Sequence, residues 1–477
     1  MLGALQALDS SAWIEFVRHK LHRHANSIDA LLETLDSGKH VDFCRQVIAD
    51  DAEYRAAMLN VCDHCERKGR FPEMDAEEFL FTFISLSLVH LQRYDARVQL
   101  TAMEWCSKFK QSRDLIETCE QASALALERN APNMQERQMV GQGDLAKRIM
   151  AGGFGFVVAG VAVGLSAGLA APLVLPSLAA IVGGSTGAFL ASAGGAALFG
   201  VLFGAAGGGL SGYKVSRHFE DITDFEFIPT KPLDSQAMSL RIVVPGWHNE
   251  ELLLDSNGKC EEYILAFERK TLEELNSLFM DLVKSSLTTV AVTEVLKHTV
   301  LATALAAIVW PVTIIQLGSM IDNPWHLGLR KAEQAGKVLT QVLLNRVAGN
   351  RPIDLIGYGL GALLIYHCLH DLVERGEILC GLLRNVVLLG LPLAKPLDNS
   401  WTHKRALVHG RFVQGYARED VILKFLFRTS TLTAGQVVGL APLDVPGIES
   451  IDLSNVIDSQ HLQYHEKLSE ILAILNL

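Results

Sequence analysis

Between Asp354 and Ala362 the chain reads Asp354-Leu355-Ile356-Gly357-Tyr358-Gly359-Leu360-Gly361-Ala362. A short apolar run leads in, and a helix-forming stretch, Leu363-Leu364-Ile365-Tyr366, leads out. This is the setting of the nucleophile elbow G-x-S-x-G, in which a serine on a sharp strand-to-helix turn attacks an acyl carbon. The outer glycines, Gly357 and Gly361, let the turn pack between strand and helix. The central position, where the serine would stand, is Gly359. That position demands a backbone conformation that a β-carbon opposes and glycine adopts freely. The turn is therefore expected to keep its shape while losing the attacking oxygen, and without that oxygen no acyl-enzyme can form. Tyr358 is no replacement, because its side chain points elsewhere and a phenol titrates near pH 10. A nucleotide-binding glycine loop is the weaker alternative, since the spacing G-x-G-x-x-G is not met. A plain strand-to-helix turn is another.

Such a turn needs a sheet to hold it. From Lys231 onward short apolar runs alternate with helical stretches. The runs are Leu240–Val244, Tyr263–Phe267, Ile353–Ile356, Asn385–Leu389, Arg411–Val413 and Ser450–Leu453. This alternation predicts an α/β fold with a mostly parallel sheet over residues 231–477. Inside it, His298 to Ile321 carries no charge apart from neutral histidine and is interrupted at Pro311. It reads as a packed, kinked helix rather than a crossing, because a crossing would separate strands of one sheet.

Upstream lies a different composition. From Ile149 to Tyr213 there is no Asp, Glu, Lys, Arg or His over 65 residues, against the ~20 that a bilayer-spanning helix needs. Gly160, Gly164 and Gly168 repeat at four-residue spacing, as do Gly200, Gly204 and Gly208, a pattern that lets two helix backbones approach closely. Lys147 and Arg148 precede the run, and Lys214 and Arg217 follow it. Positive charge at both ends predicts a Gly/Ala-rich transmembrane hairpin over 149–213 with both termini in the cytosol of an intracellular membrane. A buried hairpin in a soluble core is the competing reading. Residues 1–140 read as a helical region, with Glu104 to Glu128 either an ordinary bundle helix or a short coiled coil.

Composition narrows the partners. A formal net charge of -11 argues against nucleic acid, which selects a basic face. Eight cysteines scattered over 477 residues suit reduced thiols better than a disulfide framework. Cys62-Asp63-His64-Cys65 has zinc-like spacing but no second pair, so no metal and no cofactor is expected. The N-terminus, with Asp9, Glu15 and Arg18, shows no signal-peptide pattern.

Several stretches together resemble the membrane-attached α/β-hydrolase-like family named transmembrane and coiled-coil domain-containing protein four. They include Gly212-Tyr213-Lys214, Phe225-Glu226-Phe227-Ile228-Pro229, Pro245-Gly246-Trp247, Ile321-Asp322-Asn323-Pro324-Trp325, Arg351 to Gly357, Val387-Leu388-Leu389-Gly390, Gly410 to Tyr416, and His461-Leu462-Gln463-Tyr464. The family pattern at the elbow resembles G-[FY]-S-L-G-A, so this chain departs from it at Gly359. Chain order in such hydrolases runs nucleophile, acid, histidine. The resemblance and that order imply Asp420 as the acid and His461 as the base, with Glu419 and His465 as neighbouring alternatives. Asp420 also reads as a helix N-cap before Val421-Ile422-Leu423-Lys424. The oxyanion donors would be the backbone N–H groups of Leu360 and of a residue near Trp247. The implied protein is a membrane-tethered, catalytically disarmed hydrolase-like module, a scaffold or a binder of a lipid or acyl ligand. The alternatives are an active serine lipase or esterase and, on the glycine-rich run alone, a transporter.

Overall fold

A computed structural model describes residues 12, 14–22, 41–67, 76–128, 193–203, 210, 222–230, 237–246, 260–278, 324–395, 400–428, 437–457, 461 and 463–477. Its centre is a seven-stranded sheet: β1 (Phe225–Pro229), β2 (Leu240–Val244), β3 (Glu261–Phe267), β4 (Ile353–Tyr358), β5 (Leu383–Leu389), β6 (Phe412–Tyr416) and β7 (Ile448–Asp452). The strand order is β1-β3-β2-β4-β5-β6-β7. β1 runs antiparallel to β3, and every other pair is parallel. All six runs read as strands from the sequence are strands. They stand out because β4 and β5 are buried along their whole length, as strands covered on both faces must be, and so read as unbroken apolar runs. The edge strand β1 was not foreseen. Its pattern Phe225-Glu226-Phe227-Ile228-Pro229 ends in exposed residues and a proline, which suits an edge but blurs the strand signal.

After β2 the chain adds β3 on one side and then returns to place β4 on the other. The sheet therefore reverses its direction of growth between β2 and β4. In open α/β sheets that reversal opens a crevice at the carboxyl ends of the strands, where ligands bind. The turns that matter, Pro245-Gly246 after β2 and Gly359 after β4, both lie there.

Among the described residues, the helices α1 (Val41–Arg67), α2 (Ala76–Leu91), α3 (Ala96–Lys108) and α4 (Asp114–Glu128) pack together ahead of the sheet. The stretch Glu104–Glu128 is thus two helices divided by a turn over 109–113, not one coiled-coil strand. Asp95 caps α3 by accepting from the N–H of Arg97. The helices form their own core around Leu80, Ile84, Trp105 and Leu127. Cys62, from the C-x-x-C considered for zinc, is buried in that core. Among the described residues no cluster of three metal-ligating side chains exists.

Residues 149–192, 204–209 and 211–213 of the predicted hairpin, and residues 298–321, lie outside the described residues. Residues 193–203 form α5, a helix of 11 residues. Leu198, Leu202 and Phe203 are buried in the core of the N-terminal helices. The carbonyl of Val201 accepts from the N–H of Asn350 at 3.0 Å, just before β4. Residues 193–203 of the charge-free run therefore lie within the protein fold. Absence of charge suits a buried core helix as well as a lipid-facing one, and here packing against α4 decides. Among the described residues no helix is long and apolar enough to cross a membrane.

The helical unit docks on the amino ends of the strands through buried polar groups. On β5, Arg384 grips Asp354 of β4 with two bonds, 2.8 and 2.5 Å, and reaches Gln99 of α3 at 2.6 Å. Gln99 in turn donates to Glu120 of α4 at 2.7 Å, and the Tyr94 hydroxyl donates to the same oxygen at 2.5 Å. Asn385 completes the set by donating to Asp354 at 2.9 Å. Burial alone would raise the Asp354 carboxyl. Arg384, Arg241 and Asn385 outweigh it and hold that carboxyl below its ordinary value. Backbone bonds reinforce the junction, with Ala96 N–H donating to Gly381 and Tyr94 N–H to Asn350.

A buried ion pair adds little net stability when intact but exposes its partner's desolvation penalty when broken. Arg384→Met is expected to destabilise the chain by about 3–5 kcal/mol in chemical denaturation. Adding Asp354→Leu should recover a large part of that loss. A loss under about 1 kcal/mol in the single variant would show that the junction carries no such constraint.

Candidate active site

The sharp bend between β4 and α6 (Leu360–Glu374) is built from backbone and little else. Gly359 sits at φ 56°, ψ -126°, a conformation with positive φ that L side chains resist. Its N–H donates to the carbonyl of Leu389 at the end of β5, 3.0 Å, and its carbonyl accepts from Leu363 within α6, 3.1 Å. The flanking glycines are needed because other backbone touches them. A Cβ on Gly361 would lie 1.9 Å from the Val244 carbonyl oxygen, and one on Gly357 would lie 2.7 Å from the N of Ala362. The flanking glycines thus sit in close packing, and the central residue takes the conformation with positive φ.

The β2 turn closes on the same place. A Cβ on Gly246 would lie 2.5 Å from the N of Leu360 and 2.2 Å from the carbonyl oxygen of Tyr358. Pro245-Gly246 is thus pressed against the first N–H of α6. That N–H belongs to a helix N-terminus, where the first donors lack partners within the helix and the dipole favours negative charge. Trp247, expected near the second donor, lies outside the described residues.

Asp420 and His461 come together. The His461 Nδ1–H donates to Asp420 Oδ2, and both side chains are fully buried. The other carboxylate oxygen, Oδ1, accepts from the N–H of Leu423 at 3.0 Å, in the first turn of α7 (Val421–Arg428). Asp420 is therefore both the helix N-cap and the partner of the imidazole, two readings that the sequence left as rivals. The cap fixes the carboxylate. The carboxylate fixes the ring and its tautomer, so Nε2 is the nitrogen turned away from Asp420. The alternatives are engaged elsewhere. Glu419 is exposed and pairs with Lys424 at 2.6 Å. His465 Nδ1 shares a hydrogen with the Tyr358 hydroxyl at 2.7 Å.

Gly390 connects this pair to the bend. It follows β5 with φ 54°, next to the Leu389 carbonyl that holds the Gly359 N–H. A Cβ on it would meet His461 Cε1 at 2.9 Å and the ring of Tyr464 at 2.6 Å. The imidazole thus rests against the strand end that also anchors Gly359. A second tie is the Tyr358–His465 bond, one residue from the bend and four from His461. Gly390 and Tyr464 escaped the sequence reading as site residues. Both lay inside stretches already matched to the family pattern, but nothing in their spacing marked them as neighbours.

One hydroxyl needs testing as a substitute nucleophile. The Tyr464 ring lies edge-on to His461, centroids 5.4 Å apart. Its hydroxyl is buried and makes no hydrogen bond among the described residues. Burial first, then the charges of Asp420 and Asp452, push the phenol well above its ordinary range. A phenol that the imidazole does not hold, and whose anion is disfavoured, is not activated for attack. Tyr358, also pushed up by burial, is held by His465.

Gly390→Ala is expected to wedge the imidazole off its seat and to strain a residue at positive φ. The far-downfield proton resonance of the His461 Nδ1–H should vanish, while the circular dichroism of the helices persists. A resonance unchanged from wild type would show that Gly390 does not seat the ring.

The chain is 34% identical over 305 residues to an uncharacterized membrane protein, F35D11.3, of Caenorhabditis elegans, covering 61% of this chain and 48% of that one. It is 35% identical over 286 residues to the transmembrane and coiled-coil domain-containing protein STS1 of rice, covering 58% and 42%. It is 31% identical over 299 residues to the probable lipase MIL1 of Saccharomyces cerevisiae, covering 61% and 27%. The chain thus spans about half or less of the length of these curated relatives. No solved structure matches it. The family model described as "Protein of unknown function (DUF726)" matches residues 145–477, from the charge-free run to the last helix, and the chain belongs to that family.

Proposed function

We propose that residues 231–477 form an α/β-hydrolase-like domain, held at an intracellular membrane by the charge-free run that begins at Ile149, with both termini in the cytosol. In this reading the domain binds a lipid or other acyl ligand at the crevice between β2 and β4 but forms no acyl-enzyme. The observation that carries it is the conformation of Gly359, φ 56°, ψ -126°, in a turn that otherwise has the parts of a working elbow. Leu360 supplies a helix N-terminal N–H beside Gly246. Asp420 and His461 follow in the chain order expected of acid and base and are joined by a hydrogen bond. What the site lacks is the oxygen. Removing one member of such a triad leaves only the acceleration given by the oxyanion hole and binding, roughly 10³–10⁴ over water.

Membrane attachment is supported by the names of the relatives, two of them membrane or transmembrane proteins, and by the 65 uncharged residues. The reading as an active lipase draws on the relative named a probable lipase and on the intact Asp420–His461 pair. It lacks an activated nucleophile among the described residues, so the disarmed reading is preferred.

A serine-reactive fluorophosphonate probe tests the site. Wild type should stay unlabelled, and Gly359→Ser should become labelled, with labelling lost in Gly359→Ser/His461→Ala. Strong labelling of wild type that disappears in His461→Ala would establish an active serine enzyme instead. For the tether, wild type should float with liposomes through carbonate washing, whereas a variant lacking residues 149–192 should remain in the soluble fraction. Release of the wild-type chain by carbonate would contradict an integral attachment.

A further inference from the structure

The long helix α1 lies across both cores. Phe43, Cys44 and Val47 are buried with the sheet, and Tyr54, Met58 and Val61 with the helical unit. One side of α1 is consumed in this way, and the other is exposed. Two of the five large apolar side chains exposed among the described residues stand there, Ile48 at 48% and Leu59 at 46%. From Ile48, offsets of four, eight and eleven lead to Ala52, Ala56 and Leu59, all exposed. Those offsets place the four residues on one stripe, roughly 16 Å long. A single exposed apolar residue is ordinary, whereas a contiguous stripe marks a contact surface.

The charges around the stripe are arranged to suit it. On one flank Arg55 is drawn to Asp51 at 2.7 Å, and on the other Glu53 is drawn to Arg93 at 2.8 Å. The seam between them is apolar. Charge returns at its two ends, with Arg45 one turn before Ile48 and Asp63 one turn after Leu59, their side chains 75% and 47% exposed. Reversed end for end, the order large, small, small, large is unchanged, while the terminal charges exchange sign.

We propose that a second copy of this chain docks on the stripe, α1 against α1, antiparallel about a two-fold axis. Such a contact uses the same patch twice. Ile48 of one copy packs on Leu59 of the partner subunit, and Ala52 on Ala56 of the partner subunit. The alanines at the centre let the two axes approach closely. Arg45 of each copy meets Asp63 of the partner subunit, so an opposite-charge pair closes each end. A parallel pairing would set arginine on arginine and aspartate on aspartate, so charge selects the antiparallel one. A seam this short is smaller than a standard interface, and the dimer should dissociate at concentrations on the order of micromolar. The inference stands apart from the reading of the Gly359 site.

The test is sedimentation equilibrium of the full chain in mild detergent. Wild type should show a concentration-dependent dimer. Leu59→Glu, which alters an exposed side chain, should weaken it by about 10-fold or more. Arg45→Asp should weaken it by about 3–10-fold, and Arg45→Asp/Asp63→Arg should restore most of that loss. Under oxidation, a mixture of Ala52→Cys and Ala56→Cys chains should form a disulfide dimer above the wild-type background, and neither variant alone should do so. A chain that stays monomeric at every concentration overturns the inference, as does a disulfide formed equally well by Ala52→Cys alone. Leu59→Glu dimerising as wild type does overturns it too, and a loss of liposome flotation in that variant would then assign the face to lipid.

Discussion

The turn from β4 into α6 admits backbone and almost nothing more. Gly361 has a carbonyl of β2 where its side chain would be, Gly357 has the first turn of α6, and Gly246 has the N–H of Leu360. Three strands and a helix are thereby brought within van der Waals contact at one point. The central residue, Gly359, must then take a conformation with positive φ, because that is the way the chain leaves a central strand and enters a helix within two residues. The rest of the site follows from this packing. The Leu389 carbonyl that receives the Gly359 N–H places Gly390, and Gly390 places the imidazole. A side chain at any of these glycines would move the others.

The opposite end of the sheet is organised by charge rather than by close approach. Arg384, Asp354, Gln99 and Glu120 form a buried chain from the sheet into the helical unit. Such a chain specifies one docking geometry, since any slip leaves a buried charge without its partner. It also makes the N-terminal helices part of the same body as the residues matched by the family model, although those helices lie outside the match. α5 joins the two, with Phe203 beneath the guanidinium of Arg351, itself paired with Glu261. Two kinds of constraint thus act at the two ends of β4: polar locking at Asp354 and steric closure at Gly359.

The site was more legible in the sequence than the junction, for a physical reason. Glycines at fixed offsets after an apolar run report a local event, and the strands around them are buried on both faces, so the run is unbroken. The resemblance and chain order single out Asp420 and His461, whereas the bond between them, and the pairing of Glu419 with Lys424 and of His465 with Tyr358, leave no trace in the sequence. The docking of Gln99 on Arg384 spans 285 positions and leaves no periodic trace. β1 was hidden because an edge strand alternates weakly and ends at Pro229. The charge-free run misled in part, since Leu198 and Phe203 in α5 are apolar for the sake of a protein core. Hydropathy registers what a residue avoids, which is water in both cases.

The central claim is spatial: the bend and the carboxylate-held imidazole share one crevice, and an oxygen is all that is missing. A high-resolution crystal structure of the Gly359→Ser variant measures this directly. The account predicts a serine Oγ at hydrogen-bond distance, about 2.6–3.2 Å, from Nε2 of His461, with φ at residue 359 still positive. A serine Oγ turned away from the imidazole, or a His461 ring that has left Asp420, would contradict it.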